Sequence, residues 1–90
     1  MGFKIIFTGR AEKDAKKLEQ AGLDKKAKEL LKLIKENPYQ KPPPYEKLVG
    51  DLKGQYSRRI NIMHRLVYEI IDEKKIIKIL SMWSHYEWKV

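Results

Sequence analysis

Residues 55–68 read QYSRRINIMHRLVY. The stretch predicts two adjacent strands joined by a tight connection, because apolar and polar residues alternate along each half. Successive side chains of a strand point to opposite faces of its sheet. One face therefore takes the apolar residues Tyr56, Ile60, Ile62, Leu66 and Tyr68. The other face carries Arg59 and Arg65, whose planar guanidinium groups suit a phosphate, although a solvated basic face is the plain alternative.

Upstream of this hairpin, the pattern predicts one strand and two helices. Residues 3–7 are rich in β-branched and aromatic side chains, as a short strand would be. A first helix is expected over residues 10–20 and ends before Gly22. A second helix is expected over residues 24–36, with Asp24 as its cap. Its apolar stripe is the stronger of the two and comprises Ala27, Leu30, Leu31 and Ile34.

The segments around the hairpin complete one domain over residues 1–90. Residues 38–45 form a proline-stiffened loop that leads to Glu46. After a polar turn at 72–75, residues 76–83 are apolar on both parities, which predicts a strand in the middle of the sheet. The order β-α-α-β-β-β predicts an α+β fold in which two helices pack on one face of an antiparallel sheet. The other face is left open for binding.

Composition narrows the class of protein. The 90 residues carry a formal net charge of +8, which favours a polyanionic partner such as RNA, DNA or an acidic protein. The absence of cysteine excludes disulfides and thiolate metal sites and fits a reducing cytosol. No apolar run approaches the roughly 20 residues that span a bilayer, and no signal peptide is recognisable. We therefore expect a cytoplasmic protein without a membrane partner.

Few residues are left that could support catalysis. The sequence has no zinc-binding histidine pattern, no glycine-rich phosphate loop and no serine-hydrolase elbow, so no metal and no cofactor are expected. His64 lies beside the hairpin turn and is expected to be structural. The remaining candidates are Glu46, Arg59, Arg65, His85 and Tyr86.

A carboxylate, two arginines and a histidine are sufficient for metal-free RNA cleavage. RNA carries its own nucleophile, the 2′-OH, next to the scissile phosphate. General acid and base groups each contribute roughly 10²–10⁴-fold in rate. Preorganised cations supply electrostatic stabilisation of the transition state. The candidates are far apart in sequence, so only the fold can bring them together.

One extended motif occupies the second half of the chain: Glu46-x-Leu48, Leu52-x-Gly54, Ser57-Arg58-Arg59-Ile60, His64-Arg65-Leu66-Val67-Tyr68 and His85-Tyr86. This motif closely resembles the YoeB/Txe toxins of the RelE superfamily, and the order of elements also fits. The resemblance implies a RelE-like toxin of a type II toxin–antitoxin system. Such toxins are metal-independent endoribonucleases that cut mRNA in the ribosomal A site and so inhibit translation.

The resemblance also implies residue roles and partners. By motif position, Glu46 is expected to be the general base, Arg65 a phosphate-stabilising cation and His85 the general acid. Four further residues are expected to bind the RNA phosphate or the substrate: Arg59, Tyr86, Arg58 and Lys47. The implied partners are mRNA, the ribosome and a YefM/Phd-like antitoxin with an acidic tail. A homodimer is also implied.

The sequence departs from the family pattern in two respects that bear on the efficiency of cleavage and on the codon preference. Val49 stands where a basic residue is common, and Glu87-Trp88-Lys89-Val90 follow the His85-Tyr86 pair. Two rival functions remain: a ribosome-independent ribonuclease, and a non-catalytic ParE-like toxin that binds gyrase. The combination of a candidate base and a candidate acid argues against the second, since a binding protein needs neither.

Overall fold

The computed structural model describes residues 2–41, 44–48 and 54–84. The described residues contain two helices and one five-stranded sheet, with strand order β1-β5-β4-β3-β2. The elements are β1 (Lys4–Phe7), α1 (Gly9–Gln20), α2 (Asp24–Glu36), β2 (Glu46–Lys47), β3 (Gln55–Arg59), β4 (Arg65–Ile71) and β5 (Ile76–Ser84). The predicted α+β class is confirmed.

The sheet differs from the predicted one in two respects. It is mixed rather than antiparallel, because β1 pairs with β5 in parallel. It also contains the additional strand β2, which has only two residues and therefore no periodic pattern to read. The central position predicted for the last strand is confirmed, since β5 lies between β1 and β4.

The helices begin and end largely where the sequence predicts. The Thr8 side chain caps α1 by accepting a hydrogen bond from the Ala11 N–H. Gly22 adopts a φ of +75° in the connection between the helices, which favours glycine. Asp24 is not the cap of α2, because it is the first helical residue and pairs with Lys28 at 3.3 Å. Neither helix in the described part of the chain is long and apolar enough to cross a membrane.

The core lies between the helices and one face of the sheet. Its fully buried side chains include Leu18, Ile34, Leu66, Tyr68, Ile77 and Ile79. Burying one such side chain stabilises the fold by about 1.5–3 kcal/mol. The helical stripe of α2 supplies Ala27, Leu30 and Ile34 to this core, as predicted.

The turn between β3 and β4 places one predicted core residue in solvent. Strand β3 ends at Arg59, so the alternation of faces does not continue to Ile62, which is 86% exposed. The Asn61 Oδ1 atom accepts hydrogen bonds from the N–H groups of Met63 at 2.7 Å and His64 at 2.8 Å. The His64 ring packs on Trp83 with 4.3 Å between centroids, which is consistent with the predicted structural role.

A buried carboxylate fixes the end of β5. The β4–β5 pairing is irregular between Arg65 and Tyr68, so some N–H groups of β5 are not used by the sheet. Asp14 of α1 is 4% exposed, and its Oδ2 atom accepts from the N–H groups of Met82 at 3.0 Å and Trp83 at 3.4 Å. Helix α1 is therefore hydrogen-bonded to the part of β5 that directly precedes Ser84, the register partner of Arg65.

Replacing Asp14 by alanine is expected to lower the free energy of unfolding by about 2–3 kcal/mol, because two N–H groups lose a charged acceptor. Urea denaturation followed by circular dichroism measures this loss. Asp24→Ala is the matched control: it removes only a helix-surface ion pair and should cost about 0.5 kcal/mol. Equal midpoints for the two variants would show that Asp14 is not a structural anchor.

Candidate active site

The hairpin register brings the two predicted arginines together. Arg59 and Arg65 are direct partners in the antiparallel β3–β4 pair, and Glu46 of β2 is the partner of Ser57. Direct partners lie on the same face of a sheet. The side chains of these four residues form one side of a cavity of about 330 Å³. The cavity is lined by Pro44, Tyr45, Glu46, Ser57, Arg59 and Arg65.

A carboxylate and a guanidinium face each other in this cavity. The Arg65 Nη1 atom is 3.5 Å from Glu46 Oε1 and 3.5 Å from Ser57 Oγ. The Arg65 side chain is only 14% exposed, whereas that of Glu46 is 61% exposed. An ion pair with one side so exposed contributes little to stability. The arrangement therefore leaves a solvent-accessible carboxylate beside a cation that its surroundings hold in place.

The arginine pair has an electrostatic cost. Like charges placed directly opposite each other on neighbouring strands destabilise a sheet. One carboxylate, that of Glu46, lines the cavity with the two guanidinium groups, so the charged side chains of the cavity sum to a positive charge. A bound phosphate would relieve the repulsion, because each guanidinium offers it a planar pair of donors.

Two other basic residues that the sequence suggested as RNA contacts lie elsewhere. Lys47 follows Glu46 on β2 and pairs with Tyr56, so its side chain points to the opposite face from the cavity. Arg58 is 1% exposed and faces the core, away from the cavity. The reason is its parity: on β3, Arg58 alternates with Ser57 and Arg59 and shares the face of Tyr56.

The remaining predicted residues, His85 and Tyr86, lie outside the described residues, as do Val49 and Leu52. The backbone just before them is described. Strand β5 ends at Ser84, the register partner of Arg65, and His85 follows it in sequence.

Sequence reasoning missed three residues that line the cavity, namely Pro44, Tyr45 and Ser57. Ser57 shares its parity with Arg59, so the alternation that identified the arginines also indicated Ser57. Tyr45 carried no such signal, because it lies in a loop without periodicity. Within residues 2–41, 44–48 and 54–84, no three side chains of histidine, aspartate or glutamate cluster as metal ligands would.

The sequence also matches a known protein family. The model of a family described as the YoeB-like toxin of bacterial type II toxin-antitoxin systems matches residues 9–86. The chain belongs to this family. Its sheet and helices match those of solved structures of YoeB toxins.

Individual relatives show the extent of the likeness. The chain is 41% identical over 58 residues to the YoeB toxin of Synechocystis sp., and the aligned part covers 64% of this chain and 65% of that toxin. The match thus spans slightly less than two thirds of the relative's length. The structure of the YoeB dimer from Staphylococcus aureus superposes with a TM-score of 0.80 at 42% identity, covering 96% of this chain and 100% of the other. The YoeB–YefM complex from the same organism gives a TM-score of 0.78 at the same identity and coverage.

Proposed function

We propose that this YoeB-family toxin is a ribosome-dependent endoribonuclease that cleaves mRNA in the A site by acid–base catalysis without a metal. The cavity carries the proposal. In it the Glu46 Oε1 atom lies 3.5 Å from the Arg65 Nη1 atom, and Arg59 is the partner of Arg65 on the neighbouring strand. Such a carboxylate and cation pair suits a phosphodiester with an internal nucleophile.

The proposed reaction is a transfer of the phosphoryl group within the RNA. Glu46 takes the proton of the 2′-OH as the O2′–P bond forms. Arg65 and Arg59 stabilise the negative charge that develops on the phosphoryl oxygens. The P–O5′ bond breaks, and His85 donates a proton to the departing 5′-oxygen. The products are a 2′,3′-cyclic phosphate, or the 3′-phosphate after hydrolysis, and a 5′-hydroxyl.

The described backbone supports the role of His85. Ser84 pairs with Arg65 at the end of the sheet where Arg59 and Arg65 face each other, and His85 is the next residue. His85 thus directly follows, in sequence, the register partner of Arg65. We propose that Tyr86, one residue further on, positions the substrate.

The proposed partners follow from the relatives and from the charge. A related toxin forms a complex with YefM, and another structure of the same toxin is a dimer. We propose a YefM-like antitoxin whose acidic segment covers the basic cavity, and a homodimer of the toxin. The net charge of +8 supports binding to ribosomal RNA and to an acidic partner alike. We propose that the protein acts in the cytoplasm, because its proposed target, the ribosome, is found there.

The test is primer extension on a defined mRNA incubated with protein that has been treated with EDTA and then desalted. The RNA is offered naked and in ribosomes stalled with a chosen codon in the A site. We expect a cut only in the ribosomal sample and only at that codon, and none with Glu46→Gln. Cleavage of naked RNA would instead indicate a free ribonuclease. Intact RNA in both samples would contradict the catalytic proposal and favour a binding toxin.

A further inference from the structure

A buried arginine joins the hairpin to the loop that precedes β2. The Arg58 Nε atom donates a hydrogen bond to the hydroxyl of Tyr68 at 2.8 Å. Its Nη2 atom donates to the backbone carbonyls of Pro38 at 3.0 Å and Gln40 at 2.9 Å. One guanidinium thus connects β3, β4 and the start of the loop that leads to Glu46.

This burial has a cost that the contacts must offset. Removing a charge from water is unfavourable unless hydrogen bonds replace its hydration. Burial raises the pKa of Tyr68, so its hydroxyl stays protonated and accepts from Arg58 as a neutral group. An apolar side chain would fill the same space but would leave the carbonyls of Pro38 and Gln40 without this donor. The arginine is thus suited to holding the loop and not only to packing.

The same guanidinium also contacts the residue next to Glu46. The Arg58 Cζ atom lies 4.9 Å from the centre of the Tyr45 ring, over its face. Tyr45 meets Tyr56 edge-on with 5.5 Å between ring centroids. The Tyr45 ring is therefore held against Tyr56 and Arg58 at the rim of the cavity, which Tyr45 also lines, and Glu46 follows it directly.

The strand that carries Glu46 is poorly anchored by itself. Strand β2 has two residues, Glu46 and Lys47, and within the described residues it is an edge strand that pairs with β3 alone. One further backbone bond, from the Leu48 N–H to the Gln55 carbonyl at 2.9 Å, extends this pairing. So short a strand frays readily, since few bonds must open together. The position of Glu46 thus depends on what holds the loop before it.

We infer that Arg58 is a positioning residue: it acts as a latch that holds Pro38, Gln40 and Tyr45 against the hairpin and so fixes the Glu46 carboxylate beside Arg65. The inference gives the buried arginine a role in the same cavity without any contact to RNA. Its consequence for activity rests on the function proposed above. The expected effect on the mobility of β2 is independent of that function.

The test compares two variants of the latch with a control for general destabilisation. Tyr68→Phe removes the hydroxyl that accepts from Arg58, and Arg58→Lys keeps the charge but loses the planar set of donors. Thr8→Val is the control, because it deletes a hydroxyl that bonds to the Ile79 and Leu80 carbonyls at the other side of the sheet. Thermal unfolding by circular dichroism first verifies that all three variants fold.

Hydrogen exchange of the amides of residues 45–48 is the readout that does not depend on RNA. We expect exchange about tenfold faster in Tyr68→Phe and Arg58→Lys, and unchanged in Thr8→Val. In the ribosomal cleavage assay we expect kcat to fall by about 10- to 100-fold in both latch variants with KM unchanged, because a displaced base affects chemistry and not binding.

Three outcomes would overturn the inference. The first is unchanged exchange at residues 45–48 in both latch variants. The second is faster exchange with wild-type kcat. The third is the combination of a raised KM with normal kcat in Tyr68→Phe and wild-type kinetics in Arg58→Lys. That combination would mean that Arg58 acts through its charge alone and contributes to substrate binding. A wild-type protein that fails to cleave would contradict the proposed function instead, and the exchange data would still decide on the latch.

Discussion

The Arg65→Ala variant is expected to cleave the A-site codon about 10³-fold more slowly than the wild type, with an unchanged KM. Removal of a preorganised donor to a developing oxyanion typically costs 10²–10³-fold in kcat. Arg65 suits that role because its side chain is 14% exposed and lies 3.5 Å from both Glu46 and Ser57. An interaction made only in the transition state lowers kcat and leaves substrate binding unaffected.

Single-turnover cleavage in stalled ribosomes measures this loss directly. Lys47→Ala is the matched control, since it removes the same charge from the neighbouring strand on the opposite face. We expect that control to slow cleavage less than about threefold, as for one screened surface charge. The assigned role would be wrong if both variants lost activity equally. It would also be wrong if Arg65→Ala were unfolded by circular dichroism, since Arg65 is not among the core residues.

The His85→Ala variant is expected to lose about 10²–10⁴-fold in rate, the usual contribution of a general acid. The proposed role makes a more specific prediction. A substrate with sulfur in place of the 5′-bridging oxygen leaves as a thiolate and needs no proton. The variant should therefore cleave that substrate at nearly the wild-type rate.

The sulfur substrate separates the acid from the other catalytic groups. Glu46→Gln and Arg65→Ala should stay slow on it, because they are proposed to act on the nucleophile and on the phosphoryl oxygens. The measurement is the ratio of cleavage rates for the sulfur and oxygen substrates in each variant. A His85→Ala protein that remained equally slow on both would show that His85 does not protonate the leaving group.

The sequence predicted the parts of the fold that depend on local patterns. The stripe of α2 and the end of α1 before Gly22 follow from helical spacing and from backbone sterics alone. The alternation around Arg59 and Arg65 predicted the shared open face, because one parity of a strand must lie on one side. These features involve neighbours in the chain, whose relation is fixed by geometry.

Features that depend on distant contacts were not predicted. The parallel pairing of β1 with β5 joins residues about seventy positions apart, and no local pattern encodes it. No local pattern marks Asp14, because it faces a bulge that forms only when β5 is in place. Arg58 was predicted as an RNA contact although its parity matched that of the core. Because arginine is rarely buried, its residue type suggested an exposed side chain even though the strand alternation placed Arg58 on the core face.

Strand order also determines when this chain acquires its structure during synthesis. Strand β5 is the neighbour of both β1 and β4, so a nascent chain that has emerged only as far as β4 still lacks the strand that joins β1 to the rest of the sheet. Helix α1 packs on β5 as well, and Asp14 finds its partners there. A chain translated only as far as β4 therefore lacks the strand on which β1 and helix α1 pack. The complete sheet that supports the proposed site can form only after β5 has left the ribosome.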